Sequence, residues 1–146
     1  MTHQLAGRKV QFGLILLVGT LFLTLGVFQL SARNIEPASL DGTQWVLETI
    51  AGDPVLSESA ITAEFAAGQI AGSAGVNRYF APFATTDTGL EIGPAGSTMM
   101  MGPENLMAQE MAFLGALQTA VSYELSASGS ILTVQTDAGP LTFVAQ

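Results

Sequence analysis

Residues 61–83 read ITAEFAAGQIAGSAGVNRYFAPF, and this stretch decides the fold class. Its first five residues alternate apolar and polar side chains, which is the pattern of a strand with one buried face. The following Ala-Ala-Gly-Gln, residues 66–69, should turn the chain into a second strand over residues 69–74. Residues 75–83 then have the composition of a constrained loop and a short strand. The stretch therefore predicts short strands joined by tight turns, which is an antiparallel arrangement.

Further strand patterns lie on both sides of this stretch. Residues 45–50 precede it and are rich in strand formers, and Gly52-Asp53-Pro54 ends that run. A short strand is predicted at residues 89–92. The last part of the chain predicts a meander of three strands, separated by turns that contain glycine, over residues 121–125, 131–135 and 141–144.

Residues 103–121 have a different character and predict one helix. Pro103 suits the first helical position, and Glu104 stands where the helix dipole favours a negative charge. The apolar residues fall in one broad arc at helical periodicity, namely Leu106, Met107, Met111, Phe113, Leu114, Leu117 and Val121. The predicted fold is therefore α+β and mainly β, a small curled antiparallel sheet or partly open barrel with one packed helix.

An apolar segment precedes this domain. Residues 12–30 read FGLILLVGTLFLTLGVFQL and contain no charge. A helix needs about 20 apolar residues to span a bilayer, so the run is long enough to form a transmembrane helix. Arg8 and Lys9 precede it, which predicts that the N-terminus stays in the cytoplasm and that the domain faces the periplasm.

The chain is accordingly predicted to have three parts. Residues 1–33 are expected to be a single-pass anchor in the inner membrane. Cleavage of the same residues as a signal peptide is the alternative, and it would leave a periplasmic or secreted domain. Residues 34–40 are expected to form a linker, and residues 41–146 the domain.

Charge is divided sharply between these parts. The chain has four basic and 12 acidic residues. Three of the basic residues flank the apolar segment, whereas every acidic residue follows it. From residue 34 onward the chain thus contains one cation, Arg78, against 12 carboxylates, a formal charge of −11. Such a surface repels nucleic-acid phosphates, so we expect no nucleic-acid partner, and solubility is its plainest role.

The domain lacks the side chains of most catalytic sites. The chain has no cysteine, and its one histidine, His3, precedes the apolar segment. No base is evident that would activate a serine, and no carboxylate spacing indicates an acid–base pair. We therefore expect no enzyme, no catalytic residue and no cofactor.

Methionines are concentrated in one region, at Met99, Met100, Met101, Met107 and Met111. Thioethers can bind soft Cu(I), and flexible methionine surfaces can accommodate varied partners. Gap filling in the core and in loops is the commoner role, and no histidine or cysteine lies nearby. The sequence therefore predicts no metal site.

Three pieces of the domain carry a resemblance to a known family. They are GTQWVLETIAG (42–52), GQIAGSAGVNRYFAPF (68–83) and IGPAGSTMMMGPENLMAQEMAFLGAL (92–117). In this order and spacing they resemble the META domain family, which includes the heat-shock protein HslJ, over nearly all of residues 40–146. The motif residues are Trp45, Gly75, Asn77, Arg78, Tyr79, Gly93, Pro94, Thr98, Met107, Gln109 and Glu110.

The resemblance has several implications. It implies a mainly β, barrel-like fold, a location in the bacterial envelope, and an association with stress and with resistance to a hydrophobic antibiotic. It implies no enzyme. Family members often have cysteines at two positions that are Val76 and Gly102 in this sequence. The disulfide that the resemblance implies in such relatives is therefore missing, and a redox role for such a bridge is not expected.

One acidic residue needs a partner. Glu110 stands near the centre of the helix's apolar arc, and a buried carboxylate is costly unless it is paired. Arg78 is the one cation of the domain, and its planar guanidinium can bind a carboxylate through two hydrogen bonds. The sequence thus predicts an Arg78–Glu110 pair. The pair could be a buried staple between helix and sheet, or the polar centre of a ligand cleft. Asn77 is expected to hold its loop through its side chain.

The function predicted from these features is a non-enzymatic envelope domain associated with stress, acting through protein contacts or assembly support. The alternative is a binder of small hydrophobic ligands in a barrel-like cup. The expected partners are the membrane, through the N-terminal helix, and an unknown envelope protein or a small hydrophobic ligand.

Overall fold

The computed structural model describes residues 39–86 and 89–146. The predicted membrane segment, residues 1–33, and most of the predicted linker lie outside them. Across the described residues, no helix has both the length and the apolar character that a bilayer crossing needs. Leu40, which the sequence places in the linker, is buried in the core, so the folded domain includes this residue.

The described chain forms ten strands and one helix. The strands before the helix are β1 (Thr43–Ile50), β2 (Asp53–Pro54), β3 (Thr62–Ala66), β4 (Gln69–Ser73), β5 (Arg78–Thr86), β6 (Gly89–Ile92) and β7 (Gly96–Ser97). The helix α1 (Glu104–Leu117) follows, and the chain ends with β8 (Ala120–Leu125), β9 (Ile131–Thr136) and β10 (Leu141–Ala145). All strand pairs are antiparallel.

The sheet is curled until its two ends nearly meet. Its order is β6-β5-β4-β3-β1-β10-β9-β8, with β2 beside β1 and β7 beside β5. At the closing point, a Cβ atom on Gly89 would lie 2.5 Å from the carbonyl oxygen of Val121. Glycine therefore allows β6 to approach β8 closely. The prediction of a mainly β, barrel-like sheet with one helix is confirmed.

The β3–β4 hairpin shows how the sequence sets this geometry. Ala67 and Gly68 have φ angles of 51° and 76°, so both central residues of the turn are left-handed. This is the two-residue turn whose twist matches that of the flanking strands. Alternation in both strands then directs Ala63, Phe65 and Ile70 into the core.

Side chains fill the space inside the curled sheet. The largest are Trp45, Phe65, Tyr79, Phe113 and Phe143, each 2 % exposed or less. Each contributes about 1.5–3 kcal/mol through burial. Phe113 of α1 meets Tyr79 of β5 edge to face at 5.3 Å between ring centroids, so the helix packs directly on the sheet.

The helix is shorter than the predicted residues 103–121. Pro103 is its N-cap, and it ends at Leu117. Gln118 is its C-cap, and the side chain of this residue donates to the carbonyl of Gly93 at 2.9 Å and accepts from the amide of Ala95 at 3.2 Å. The chain then enters β8, which contains Val121.

Met111 does not belong to the buried face of the helix. That face comprises Glu110, Phe113, Ala116 and Leu117. Met111 lies on the opposite side from Phe113, and its side chain is exposed.

Candidate functional site

A tight loop between β4 and β5 presents backbone amides to the helix. The amide of Ala74 donates to the carbonyl of Asn77 at 2.7 Å, which closes the loop. Gly75 has a φ of 118°, a conformation that side chains rarely allow, and a Cβ there would lie 2.7 Å from the Ser59 hydroxyl. The glycine lets the amides of Val76 and Asn77 point to one spot. Successive amides of this kind form a small anion-binding concavity.

The carboxylate of Glu110 occupies that concavity. Its Oε2 accepts from the amides of Val76 at 3.0 Å and Asn77 at 2.6 Å. Its Oε1 accepts from Nδ2 of Asn77 at 2.7 Å. Glu110 is 4 % exposed, so the charge is buried and compensated by three N–H donors. Hydrogen bonds to a charged group contribute about 1.5–3 kcal/mol each, which is enough to hold a carboxylate inside the domain.

The predicted pair between Arg78 and Glu110 is wrong. Both residues are described, and they form no ion pair; Glu110 is bound by Val76 and Asn77 instead. Successive residues of a strand face opposite sides of the sheet. Asn77 and Tyr79 are buried, whereas Arg78 between them is exposed. The burial of Glu110 and its need for partners were predicted correctly, and the choice of partner was not.

Asn77 connects this carboxylate to a second segment. Its Oδ1 accepts from the hydroxyl of Thr98 at 2.8 Å and from the amide of Met100 at 2.7 Å. Its Nδ2 also donates to the carbonyl of Met100 at 3.2 Å. Thr98 is bonded to Arg78 through both backbone and hydroxyl. Asn77 therefore joins the 74–77 loop, the segment before α1 and the helix itself, as its expected loop-holding role requires.

This network is directional. Both side-chain hydrogens of Asn77 and both lone pairs of its Oδ1 are engaged, and the residue is 2 % exposed. If glutamine replaced Glu110, its side-chain NH2 group would face the N–H donors that now bind a carboxylate oxygen, and no hydrogen bond could form there. The arrangement fixes one geometry and binds a carboxylate specifically. We name it the Asn77–Glu110 network.

Two further motif residues anchor neighbouring segments. Gln109 accepts from the amide of Leu56 at 2.7 Å, which ties α1 to the loop after β2. Tyr79 donates its hydroxyl to the carbonyl of Thr62 at 2.9 Å, and burial raises the pKa of this phenol above its ordinary value. The tyrosine therefore remains a protonated donor.

The other motif residues lie away from the network or at its edge. Trp45 is in the core, and its indole donates to Thr43 at 2.7 Å. Gly93 packs closely on Pro82, and Pro94 is exposed beside it. Met107 is half-buried in α1. Sequence reasoning missed the roles of the Met100 backbone and of Gln118, because both depend on contacts between distant segments.

Val76 and Gly102, the positions at which the family resemblance implies cysteines in many relatives, face each other. A Cβ on Gly102 would lie 3.4 Å from the Cβ of Val76 and 2.8 Å from both of its methyl carbons. Disulfides join Cβ atoms about 3.5–4.5 Å apart. The valine side chain therefore occupies the space that a bridge would use.

The segment held by Asn77 has large apolar side chains that are exposed to solvent. Met99, Met100 and Met101, which we name the methionine loop, are 95 %, 56 % and 92 % exposed. Phe80, on the outward side of β5, is 58 % exposed, and its ring covers Gly96. Arg78 is outward on the same strand. Together these residues form an exposed surface at one end of β5.

An open groove of about 410 Å³ lies beside β1 and the loop after β2. Its lining includes Pro54, Val55, Leu56 and Ser59. Within the described residues, the buried Oγ of Ser59 and Nε2 of Gln109 have no hydrogen-bond partner. Ser59 lines the groove, and Gln109 binds the backbone of Leu56. The groove thus combines the apolar residues Pro54, Val55 and Leu56 with one residue, Ser59, whose hydroxyl has no partner.

Comparisons with known proteins agree with this architecture. The model of the META domain matches residues 38–146. The NMR structure of a protein from Burkholderia xenovorans is similar, with a TM-score of 0.62 and 26 % identity, covering 73 % of this chain and 83 % of that one. A second NMR structure has a TM-score of 0.59 at 23 % identity, covering 71 % and 89 %. A search of curated proteins found no match.

The buried carboxylate gives a first prediction. Glu110→Gln places an amide donor against N–H groups, so we expect it to lower the free energy of unfolding by about 2–4 kcal/mol. Arg78→Ala is the matched control. Since Arg78 is exposed and does not bind Glu110, its change should stay within about 0.5 kcal/mol. Urea unfolding followed by the fluorescence of Trp45 measures both. A larger loss for Arg78→Ala than for Glu110→Gln would contradict the network.

The close approach of Val76 and Gly102 gives a second prediction. In the double variant Val76→Cys/Gly102→Cys, we expect a disulfide that closes the loop between the two residues and adds about 3 kcal/mol relative to the reduced form. The measurement is the urea midpoint with and without reductant. Each single variant should be insensitive to reductant, because the chain has no other cysteine. Free thiols persisting in the oxidised double variant would show that the positions are misplaced.

Proposed function

The chain belongs to the META domain family, and from that premise we propose that it is a non-enzymatic envelope protein associated with stress, acting through protein contacts or assembly support. The stress and envelope assignments are carried by the family resemblance. The contact role is carried by the exposed surface at the end of β5.

That surface has the composition of a contact site. It comprises the methionine loop, Phe80 and Arg78, and its large apolar side chains are more than half exposed. Exposed apolar patches in soluble domains mark sites of interaction. Aromatic residues, methionine and arginine are also the residue types enriched in protein interfaces.

The surface is held in place although its side chains are free. Both the amide and the carbonyl of Met100 are bound by Asn77. Thr98 is bonded to Arg78, which connects the methionine loop to β5. A backbone fixed in this way loses little conformational freedom on binding, so less of the contact energy is spent on ordering.

Charge and location complete the proposal. Residues 1–33 anchor the chain in the inner membrane, and the domain faces the periplasm; cleavage would leave the same domain free. Because acidic residues far outnumber the single cation Arg78 in the domain, the surface away from Arg78 resists association with anionic partners. The polar network inside the domain is structural, since its hydrogen-bonding groups are already engaged.

The third prediction tests the contact surface. A photo-crosslinking residue at position 99 of the full chain, expressed in its own membrane, should give adducts of discrete mass. The same residue at Ala84, which is exposed further along β5, is the matched control and should not give them. The adducts from position 99 should weaken when Phe80→Ala reduces the apolar surface. Equal adducts from both positions, or none from position 99, would contradict the proposal.

A second candidate function is the binding of a small hydrophobic ligand. The observation that favours it is the groove of about 410 Å³ beside β1. Its apolar residues Val55 and Leu56, together with Ser59, whose hydroxyl has no partner, fit an alkyl compound that carries a hydrogen-bonding head. The interior of the barrel is filled by aromatic side chains, so this ligand would lie on the outer surface.

The fourth prediction tests this candidate separately. A long-chain alkyl alcohol added to the full chain in detergent-free nanodiscs should shift the NMR signals of residues 54–59 in a saturable way. Val55→Asp, at the half-buried wall of the groove, should abolish the shifts without loss of folding. Shifts that do not saturate, or that persist in the variant, would contradict ligand binding in the groove. They would not affect the proposal of the contact surface.

A further inference from the structure

The methionine loop differs in exposure from Met107 of the neighbouring helix, whereas Met111 of the same helix is 73 % exposed and resembles the loop. Met99 and Met101 are almost fully exposed, and Met100 is more than half exposed. Met107 is half-buried in α1. The three loop sulfurs are therefore open to small reagents in the folded state.

The fold does not depend on the packing of these side chains. The loop is held by backbone contacts, since Asn77 binds the amide of Met100 at 2.7 Å and its carbonyl at 3.2 Å. Thr98 donates its amide to the carbonyl of Arg78 at 3.0 Å. A chemical change at Met99 or Met101 would thus alter the surface without removing core contacts.

Among the described residues outside the loop, Met111 is the exposed thioether that competes for an oxidant. The chain contains no cysteine. Trp45 and Tyr79 are each 2 % exposed, so solvent scarcely reaches them. Susceptibility to oxidation follows exposure, and a thioether is converted reversibly to a polar sulfoxide.

We propose that Met99, Met100 and Met101 form an oxidation site, at which peroxide-class oxidants convert exposed thioethers to sulfoxides while the domain stays folded. In each step a methionine sulfur attacks one oxygen of hydrogen peroxide. The S–O bond forms as the O–O bond breaks. The sulfur loses two electrons, and the leaving hydroxide takes the remaining peroxide proton to become water.

The modification changes the character of the surface. Three apolar side chains become strong hydrogen-bond acceptors that prefer water. The chemistry of the site is independent of the proposed contact function. If the contact function holds, oxidation of the loop would also weaken that contact, because its apolar part would become polar.

The fifth prediction is a time course of oxidation. The full chain in detergent micelles is treated with hydrogen peroxide, digested, and analysed by peptide mass spectrometry. Cleavage after glutamate places residues 99–101, Met107 and Met111 on three peptides. The peptide that carries residues 99–101 should gain oxygen several-fold faster than the peptide that carries half-buried Met107, and exposed Met111 should react at a rate like that of the loop. The fluorescence melting curve of Trp45 should not move over the same period. Equal rates for the loop and Met107 peptides, or a melting temperature that falls as the loop is oxidised, would overturn the proposal.

Two controls distinguish the effect of exposure in the folded state from the intrinsic reactivity of each methionine. In urea, where all methionines are exposed, the rates of the loop and Met107 peptides should converge; a persisting difference would show that local sequence, not exposure, sets them. The triple variant Met99→Leu/Met100→Leu/Met101→Leu should keep the melting temperature and lose the fast oxygen uptake of the peptide that carries residues 99–101, whereas uptake at exposed Met111 should persist. Fast uptake that survives in the 99–101 peptide of this variant would assign the chemistry to another residue.

Discussion

Glu110 brings a negative charge into the core, and three N–H groups compensate it. That interaction joins the helix, the loop between β4 and β5, and, through Asn77, the segment that leads into the helix. The other features of this end of the domain depend on it. The loop conformation at Gly75 directs the amides to the carboxylate, Phe113 reaches Tyr79 one turn further along the helix, and the backbone of Met100 is fixed. A buried polar network of this kind specifies one arrangement, because any shift leaves a donor or the charge unsatisfied.

Much of the fold could be predicted from local patterns. Alternation in residues 61–65, the glycine turn that follows, and the meander at the C-terminal end are all present as strands and tight turns. The burial of Glu110 could be predicted as well, since helical periodicity places it among apolar residues. Its partner could not be found by counting charges, because backbone amides are available in every loop and have no signature in the sequence. The strand alternation around Arg78 was the signal that could have excluded the arginine.

The remaining differences come from contacts between distant segments. The helix ends at Leu117, where the side chain of Gln118 binds Gly93 and Ala95, which precede it by 25 and 23 positions. The barrel nearly closes because Gly89 admits the carbonyl of Val121. Neither contact leaves a periodic pattern in the sequence. The exposure of the methionine loop could not be predicted from local sequence either. A run of three apolar residues favours burial, and only the topology shows that this run lies on the surface.

The position of β1 in the middle of the sheet has a consequence for how the domain assembles. Its partners are β3, which follows soon after it, and β10, the last strand, with Trp45 opposite Ala145. The central strand therefore acquires its second neighbour only when nearly the whole domain is available. Such long-range pairing is characteristic of slow folding, since a large loop must close before the contacts form. Until β10 pairs with β1, one edge of β1 remains unpaired. During that time the strands of residues 62–92 and this open edge must avoid pairing with another chain.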